Sequence, residues 1–274
     1  MSLFRTVLLF IFLSVLIVPV VHAQNGKQDI AETILEKSGL EMQIRQIPDI
    51  IAAQYDHEVD DLQLRDANRI RSILIEEFRS DKIYRDMVAY LMENFDEDRA
   101  RELITFFNSE LVTHMTDREI QASDPAAARE MQHYLNGIES DPSARERINL
   151  MVEFDHSLDG TSFTVELLSQ LYVDMIRALE PALTSEQTLT IEQLEQYRAD
   201  MYDNIYVPYR QVTVGFYLYA YRDVSTDDIL RYKSFYDSPT GFWYNQLAKS
   251  MVREAIGNAR NRAADKVNAL VNGN

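Results

Sequence analysis

Residues 233–247 read KSFYDSPTGFWYNQL, and the fold turns on whether this stretch is a binding site or a corner between two helices. Phe235, Tyr236, Phe242, Trp243 and Tyr244 flank a Ser-Pro-x-Gly break. Asp237 and Ser238 are poor helix-interior residues and good caps. Pro239, in the first turn of a following helix, lacks only an N–H that would be unpaired anyway. Gly241 removes a side chain where two backbones come close. The stretch therefore reads as helix, corner, helix, with the flanking rings burying the corner. Phe235 and Trp243 are expected to hold the fold rather than touch a ligand. Nothing in the stretch sets a nucleophile beside a base.

Outward from the corner, helical spacing recurs and strand alternation is nearly absent. Ile70, Ile73, Leu74 and Phe78 mark one apolar face; Leu103, Phe107, Leu111 and Met115 a second; Leu167, Leu168, Leu171, Met175 and Leu179 a third. Asp96, Ser123-Asp124-Pro125, Thr184-Ser185 and Thr226-Asp227-Asp228 read as helix openings. Eight glycines and seven prolines leave few breaks. The expected fold is all-α, a multi-helix bundle of about nine to eleven helices. One echo suggests two related halves. Phe106-Phe107-Asn108-Ser109 resembles Phe235-Tyr236-Asp237-Ser238 at an offset of 129, which also sets Asp98 on Asp227 and Tyr90 on Tyr219. The halves would be 24–122 and 123–274; chance similarity between two amphipathic helices is the alternative.

The N-terminus predicts export. Arg5 precedes an apolar run from Val7 to Val21, and Val21-His22-Ala23 has the form of a signal-peptidase site, so residues 1–23 read as a cleaved signal peptide and Gln24 as the mature start. The run is shorter than the roughly 20 residues of a membrane span, which weighs against the alternative of an uncleaved anchor. No later stretch approaches that length. The net charge of −17 opposes binding to nucleic acid phosphates or anionic lipid. There is no cysteine, hence no thiol nucleophile, thiolate metal site or lipidated N-terminal Cys. The expected location is the periplasm or the exterior.

No G-x-S-x-G, phosphate loop, dinucleotide fingerprint or H-E-x-x-H occurs, and no cofactor is indicated. His57-Glu58-Val59-Asp60-Asp61 has metal-ligand residue types but reads better as a solvated inter-helix turn, as does His156 beside Asp155 and Asp159. The remaining signal is tyrosine. Tyr197, Tyr202, Tyr206, Tyr209, Tyr217, Tyr219 and Tyr221 are interleaved with Arg198, Arg210 and Arg222. Tyr202, Tyr206 and Tyr209 share one helix face, and Pro208 among them should kink or break the helix. Tyrosine suits a pocket wall or partner surface, and arginine beside it can pair with a carboxylate or stack on a ring. Arg198, Tyr202, Tyr206, Tyr209 and Arg210 are the candidate ligand or partner residues; core packing with hydroxyls at the boundary is the competing reading.

The segments DDILRYKS and FYDSPTG, residues 227–241, resemble the signature of domain-of-unknown-function family 2059, found in exported bacterial proteins. ILEKSGLEMQIRQIPDIIAAQ, residues 34–54, is similar to the opening helices of such proteins. The resemblance implies an all-helical fold and bacterial export, and carries no activity and no functional residues. The expected function is non-enzymatic: binding of an envelope protein or small molecule by a tyrosine-rich surface. The alternatives are an envelope hydrolase with a carboxylate site and a structural role in the envelope. A deep pocket with converging Asp and Glu favours the enzyme, a shallow aromatic patch the binder.

Overall fold

In the computed structural model, residues 26–62, 64–94, 96–139 and 141–273 are described; the expected signal segment 1–23 lies outside them. The described residues form thirteen α-helical segments and no strand: α1 (Gly26–Lys37), α2 (Leu40–Ile44), α3 (Ile47–Leu62), α4 (Ala67–Glu77), α5 (Ser80–Glu93), α6 (Glu97–Phe107), α7 (Glu110–Ser123), α8 (Ala128–Glu139), α9 (Arg145–Leu158), α10 (Gly160–Leu179), α11 (Ile191–Ala220), α12 (Thr226–Tyr236) and α13 (Pro239–Asn272). The excess over nine to eleven comes partly from α2, only five residues long.

The stripes at 70–78 and 167–179 face the core as their spacing predicts, on α4 and α10, with Ile73 half-buried and Phe78 at the C-cap of α4. The stripe at 103–115 is cut: Asn108 ends α6 and Ser109 caps α7, accepting a hydrogen bond from the Val112 N–H at 3.3 Å. Past that corner the buried face is Val112, Met115, Thr116, Glu119 and Ala122, not Leu111. Two other expectations need correction. Thr184 and Ser185 open only a turn, because the Thr184 N–H and hydroxyl both close on Gln187 Oε1 at 3.0 Å. The next helix starts after Thr190, where Thr190 and Gln193 form a reciprocal capping box. Nor does Pro208 break the chain: α11 runs through it from Ile191 to Ala220. Proline there removes one donor, so the Asn204 carbonyl loses its intrahelical partner.

The corner at 237–241 is built as its residues imply. Ser238 accepts from the Gly241 N–H at 3.2 Å, with Pro239 in the first turn of α13. A Cβ on Gly241 would lie 2.2 Å from the Phe235 carbonyl oxygen and 2.4 Å from Tyr236 Cα, so only glycine lets the helices meet this closely. Phe235 stacks on Phe106 with ring centroids 3.7 Å apart and planes 4° from parallel. Trp243 is half-buried and packs against the core, while Phe242 is 64% exposed.

The 34-residue α13 is the spine of the bundle, packing on α4, α5, α6, α10 and α12. Its late run of Lys and Arg is anchored on carboxylates. Glu77, 1% exposed, takes Lys266, Lys82 at 2.9 Å and Arg262 at 3.3 Å. Asp174, equally buried, takes Arg260 at 2.8 Å. Each buried charge has a counter-charge, so neither is left uncompensated.

Candidate functional site

Between α3, α10, α11, α12 and α13 lies a cavity of about 1340 Å³. It exceeds the roughly 300–1,000 Å³ usual for small-molecule pockets. Aliphatic and aromatic side chains dominate its walls, among them Ile50, Phe163, Leu168, Ile205, Val212 and Phe216. The exposed residues on its rim mark the mouth: Asp56 and His57 of α3 opposite Tyr197, Asp200, Asn204 and Pro208 of α11. The carbonyl freed by Pro208 belongs to Asn204, another rim residue.

The inner end is different. Tyr217, Tyr232, Tyr236 and Tyr244 gather there with Glu119 of α7. Phe154 packs edge-on against Tyr217 and Tyr221 behind them, at centroid distances of 5.2 and 5.4 Å. Burial pushes the Tyr232 and Tyr244 hydroxyls well above their ordinary range. For Tyr217 burial is reinforced by the Asp155 and Glu119 carboxylates nearby. Gly160, on the wall at the start of α10, makes room for this arrangement. A Cβ there would lie 3.0 Å from Asp155 Oδ1 and 3.1 Å from the Tyr217 hydroxyl.

Glu119 is 5% exposed and reaches the cavity. The Tyr221 hydroxyl donates to its Oε1, and Oε2 is buried with no hydrogen-bond partner. Burial pushes this carboxyl up to about 7, against the one hydrogen bond from Tyr221. The wall's lysine does not compensate it: Lys249 is held by Asp159 at 2.5 Å and Glu166 at 3.5 Å. Asp155 is also raised by burial, despite the Thr161 N–H at 2.9 Å, but it does not line the cavity. The pocket is thus deep, while its buried carboxylates do not converge on it. A carboxyl titrating near neutrality can exchange a proton, and its neighbours at this end of the cavity are tyrosines.

The residues nominated from sequence are spread along α11. Tyr209 lines the cavity. Tyr202 and Tyr206 stack on each other at 5.5 Å, and the Tyr202 hydroxyl lies 3.3 Å from Ser162 Oγ. Arg198 pairs with Glu195 at 2.9 Å. Arg210 acts electrostatically on Asp155, with its Nε buried and unpartnered. The His57 cluster sits within α3 rather than in a turn. Among the described residues no group of three or more His, Asp or Glu is placed to hold a metal ion. The sequence carries a signal for Glu119 that motif patterns do not capture: a carboxylate seven positions after Val112 and four after Met115, on the apolar face of α7.

Residues 81–141 match the family of uncharacterized proteins conserved in bacteria, DUF2059. The match covers α5 to α8 and contains the first aromatic corner, not the second that carried the resemblance. The chain matches no curated protein and no solved structure.

Proposed function

We propose that this chain, with the DUF2059 helices at 81–141, is an exported binding protein that holds an apolar or amphipathic small molecule between α3, α10, α11 and α13. The observation that carries the reading is the cavity of about 1340 Å³ with largely apolar walls and one polar end. An apolar ligand seated against these walls is removed from water, which favours its binding. Of the residues nominated from sequence, Tyr209 enters as a ligand contact, and the stacked Tyr202 and Tyr206 brace the helix that carries it. The export part rests on Arg5, the apolar run and the Val-His-Ala site. Among the described residues no helix is long and apolar enough to cross a membrane.

The binding test uses N-phenyl-1-naphthylamine, a neutral apolar fluorophore. The parent should bind it saturably at one site, and Val212→Trp, which fills the wall, should lose at least tenfold in affinity with little change in melting temperature. A parent without saturable binding, or a Val212→Trp variant that binds like the parent, overturns the reading. N-terminal sequencing of protein from the envelope fraction tests export: the chain should begin at Gln24, and retention of residues 1–23 would contradict it.

We also propose that α5–α6–α7 and the end of α11 with α12 and the start of α13 derive from one duplicated unit. The support is local. In each copy an 11-residue helix ends at Phe-aromatic-Asx and a serine caps the next helix. Cap dihedrals agree closely, φ −71°, ψ 151° at Ser109 and φ −76°, ψ 163° at Ser238. Packing is reciprocal, α5 on α13 and α11 on α7.

A further inference from the structure

We propose that the inner end of the cavity recognises an ammonium group, so that the ligand is an amine carried on an apolar chain, its charged end on Glu119 Oε2 and its chain directed toward the mouth at α3 and α11. This deepens the binding reading above and rests on it.

The first argument is the orphaned acceptor. Glu119 Oε2 is buried without a partner on a side chain that is only 5% exposed, and Glu119 is one of the residues that line the cavity. A buried acceptor without a donor costs about 1–3 kcal/mol, more if charged. A ligand that supplies a donor there recovers that cost, and one that also brings positive charge recovers the cost of burying the carboxylate. The second argument is what surrounds it. From α11 come the Tyr217 and Tyr221 hydroxyls, and from α12 those of Tyr232 and Tyr236, each raised in part by the Glu119 charge. An ammonium has three donors and no acceptor, and this end of the cavity offers it a carboxylate and the hydroxyl oxygens of Tyr217, Tyr232, Tyr236 and Tyr244.

The third argument is that the cations nearby are directed elsewhere: Arg210 of α11 acts on Asp155, and the influences on Glu119 are burial and the Tyr221 hydroxyl. Arg147 of α9 spends its guanidinium on the Tyr221 and Val224 carbonyls at 2.6 and 2.9 Å. Arg222, at the end of α11, pairs with Glu130 of α8 at 3.4 Å. On α13 the wall lysine, Lys249, is committed to Asp159 and Glu166. Asp155 of α9 adds further negative charge behind Tyr217. The entrance is acidic as well: Asp200 lies on the rim, Glu58 lines the cavity, Asp56 is paired with Arg71 at 2.6 Å, and the chain carries a net charge of −17, so a cation is drawn in and a fatty carboxylate is repelled. An ammonium seated on Oε2 favours the ionised carboxylate, so binding below neutral pH must expel the Glu119 proton.

The test titrates decylammonium, 1-decanol and decanoate calorimetrically into the full chain at pH 6 and pH 8. Decylammonium, charged at both pH values, should bind at pH 8 at least about tenfold more tightly than decanol, since a charge-assisted hydrogen bond exceeds a neutral one by this order. Its affinity should fall about tenfold from pH 8 to pH 6, following the ionised fraction of a carboxyl that titrates at about 7. At pH 6 it should release close to one proton, read from the heat in two buffers of different ionisation enthalpy. Decanol should bind independently of pH, and decanoate most weakly. Glu119→Gln should reduce decylammonium to the affinity of decanol and remove its pH dependence. A lysophosphatidylethanolamine arm separates free amines from amine-headed lipids; either binding only in the parent supports the assignment. Decanol binding as tightly as decylammonium at pH 8, or no proton release at pH 6, overturns it while the apolar-ligand reading stands. No binding of any chain overturns both. Should Glu119→Gln fail to fold, proton release by the parent decides.

Discussion

The aromatic corner at 106–112 and the corner at 235–241 share one backbone plan and differ in what their side chains face. Both end a helix on an aromatic pair and cap the next with serine. At the position where the first corner buries Val112, the second has Gly241, whose Cβ would strike backbone. The divergence continues along the flanking helices. Tyr217, Tyr221, Tyr232, Tyr236 and Tyr244 stand 129 positions after Val88, Met92, Leu103, Phe107 and Met115. At each, the first half carries an apolar side chain and the second a hydroxyl. Glu119 runs the other way, its counterpart being Ala248, and both line the cavity. Similar helix corners thus serve different surroundings: Leu103, Phe107 and Met115 fill the core, while Tyr232, Tyr236 and Tyr244 line the cavity.

The comparison breaks most easily at Gly241. Gly241→Ala should destabilise by about 3 kcal/mol or more, because the clashing atoms are backbone and cannot rotate away. For a chain of this length that is a fall of roughly 6–12 °C in melting temperature. Val112→Ala, at the equivalent place, should fall by less than half as much. Equal melting of Gly241→Ala and the parent would show the second corner to be no tighter than the first.

Glu119→Gln sharpens the comparison through pH. Burial raises the folded pKa of Glu119 above its unfolded value, so the folded state holds the extra proton between about 4.5 and about 7. Stability from this group is therefore present below about 4.5 and lost as pH rises through about 7, a loss on the order of 3 kcal/mol. Thermal melts should show Glu119→Gln gaining on the parent from pH 5 to pH 8. A constant difference between the two curves would mean that Glu119 does not titrate in that window. Tyr221→Phe removes the hydrogen bond that holds the carboxyl down, so its titration midpoint, followed by carboxyl carbon NMR, should move upward.

The stacked rings join the two corners directly. A double-mutant cycle of Phe106→Leu and Phe235→Leu should return a coupling of about 0.5–1.5 kcal/mol, the range for aromatic pairs. Denaturant unfolding that gives additive effects would mean the corners are held apart from one another. The smallest effect concerns the caps. Ser109→Ala and Ser238→Ala should each cost about 1 kcal/mol, and equally, since both serines accept one backbone N–H at similar length. Unequal costs would mark a functional difference between caps that look alike.

Much of this was legible in the residues. Ser238, Pro239 and Gly241 announced the corner, and Asp96 the start of α6, because capping is decided within four residues. The stripe at 103–115 misled because a helix corner that preserves the i, i+4 phase is invisible to periodicity alone; only Asn108-Ser109 betrays it. Trp243 packs on the core as expected, but hydrophobicity does not say which aromatic of a cluster the next helix covers most fully: Tyr244 is 7% exposed and Phe242 64%. The tyrosines from 197 to 221 separate by depth, which spacing along the chain does not state: Tyr197 reaches the rim and Tyr217 the floor.

By itself the sequence determined the helical class, the caps at Asp96 and Ser238, the acidic charge and the signal-like N-terminus, since each depends on local spacing or on composition. The tertiary structure alone decided that a cavity exists and which groups share it. Tyr221 meets Glu119 across 102 positions, and neither residue's neighbours in the chain specify the other. A helical repeat states which face of a helix is apolar, not whether that face meets another helix or open space. That outcome belongs to the packing of α3, α10, α11 and α13 around one another, and it turned a carboxylate on an apolar stripe into the polar end of a cavity.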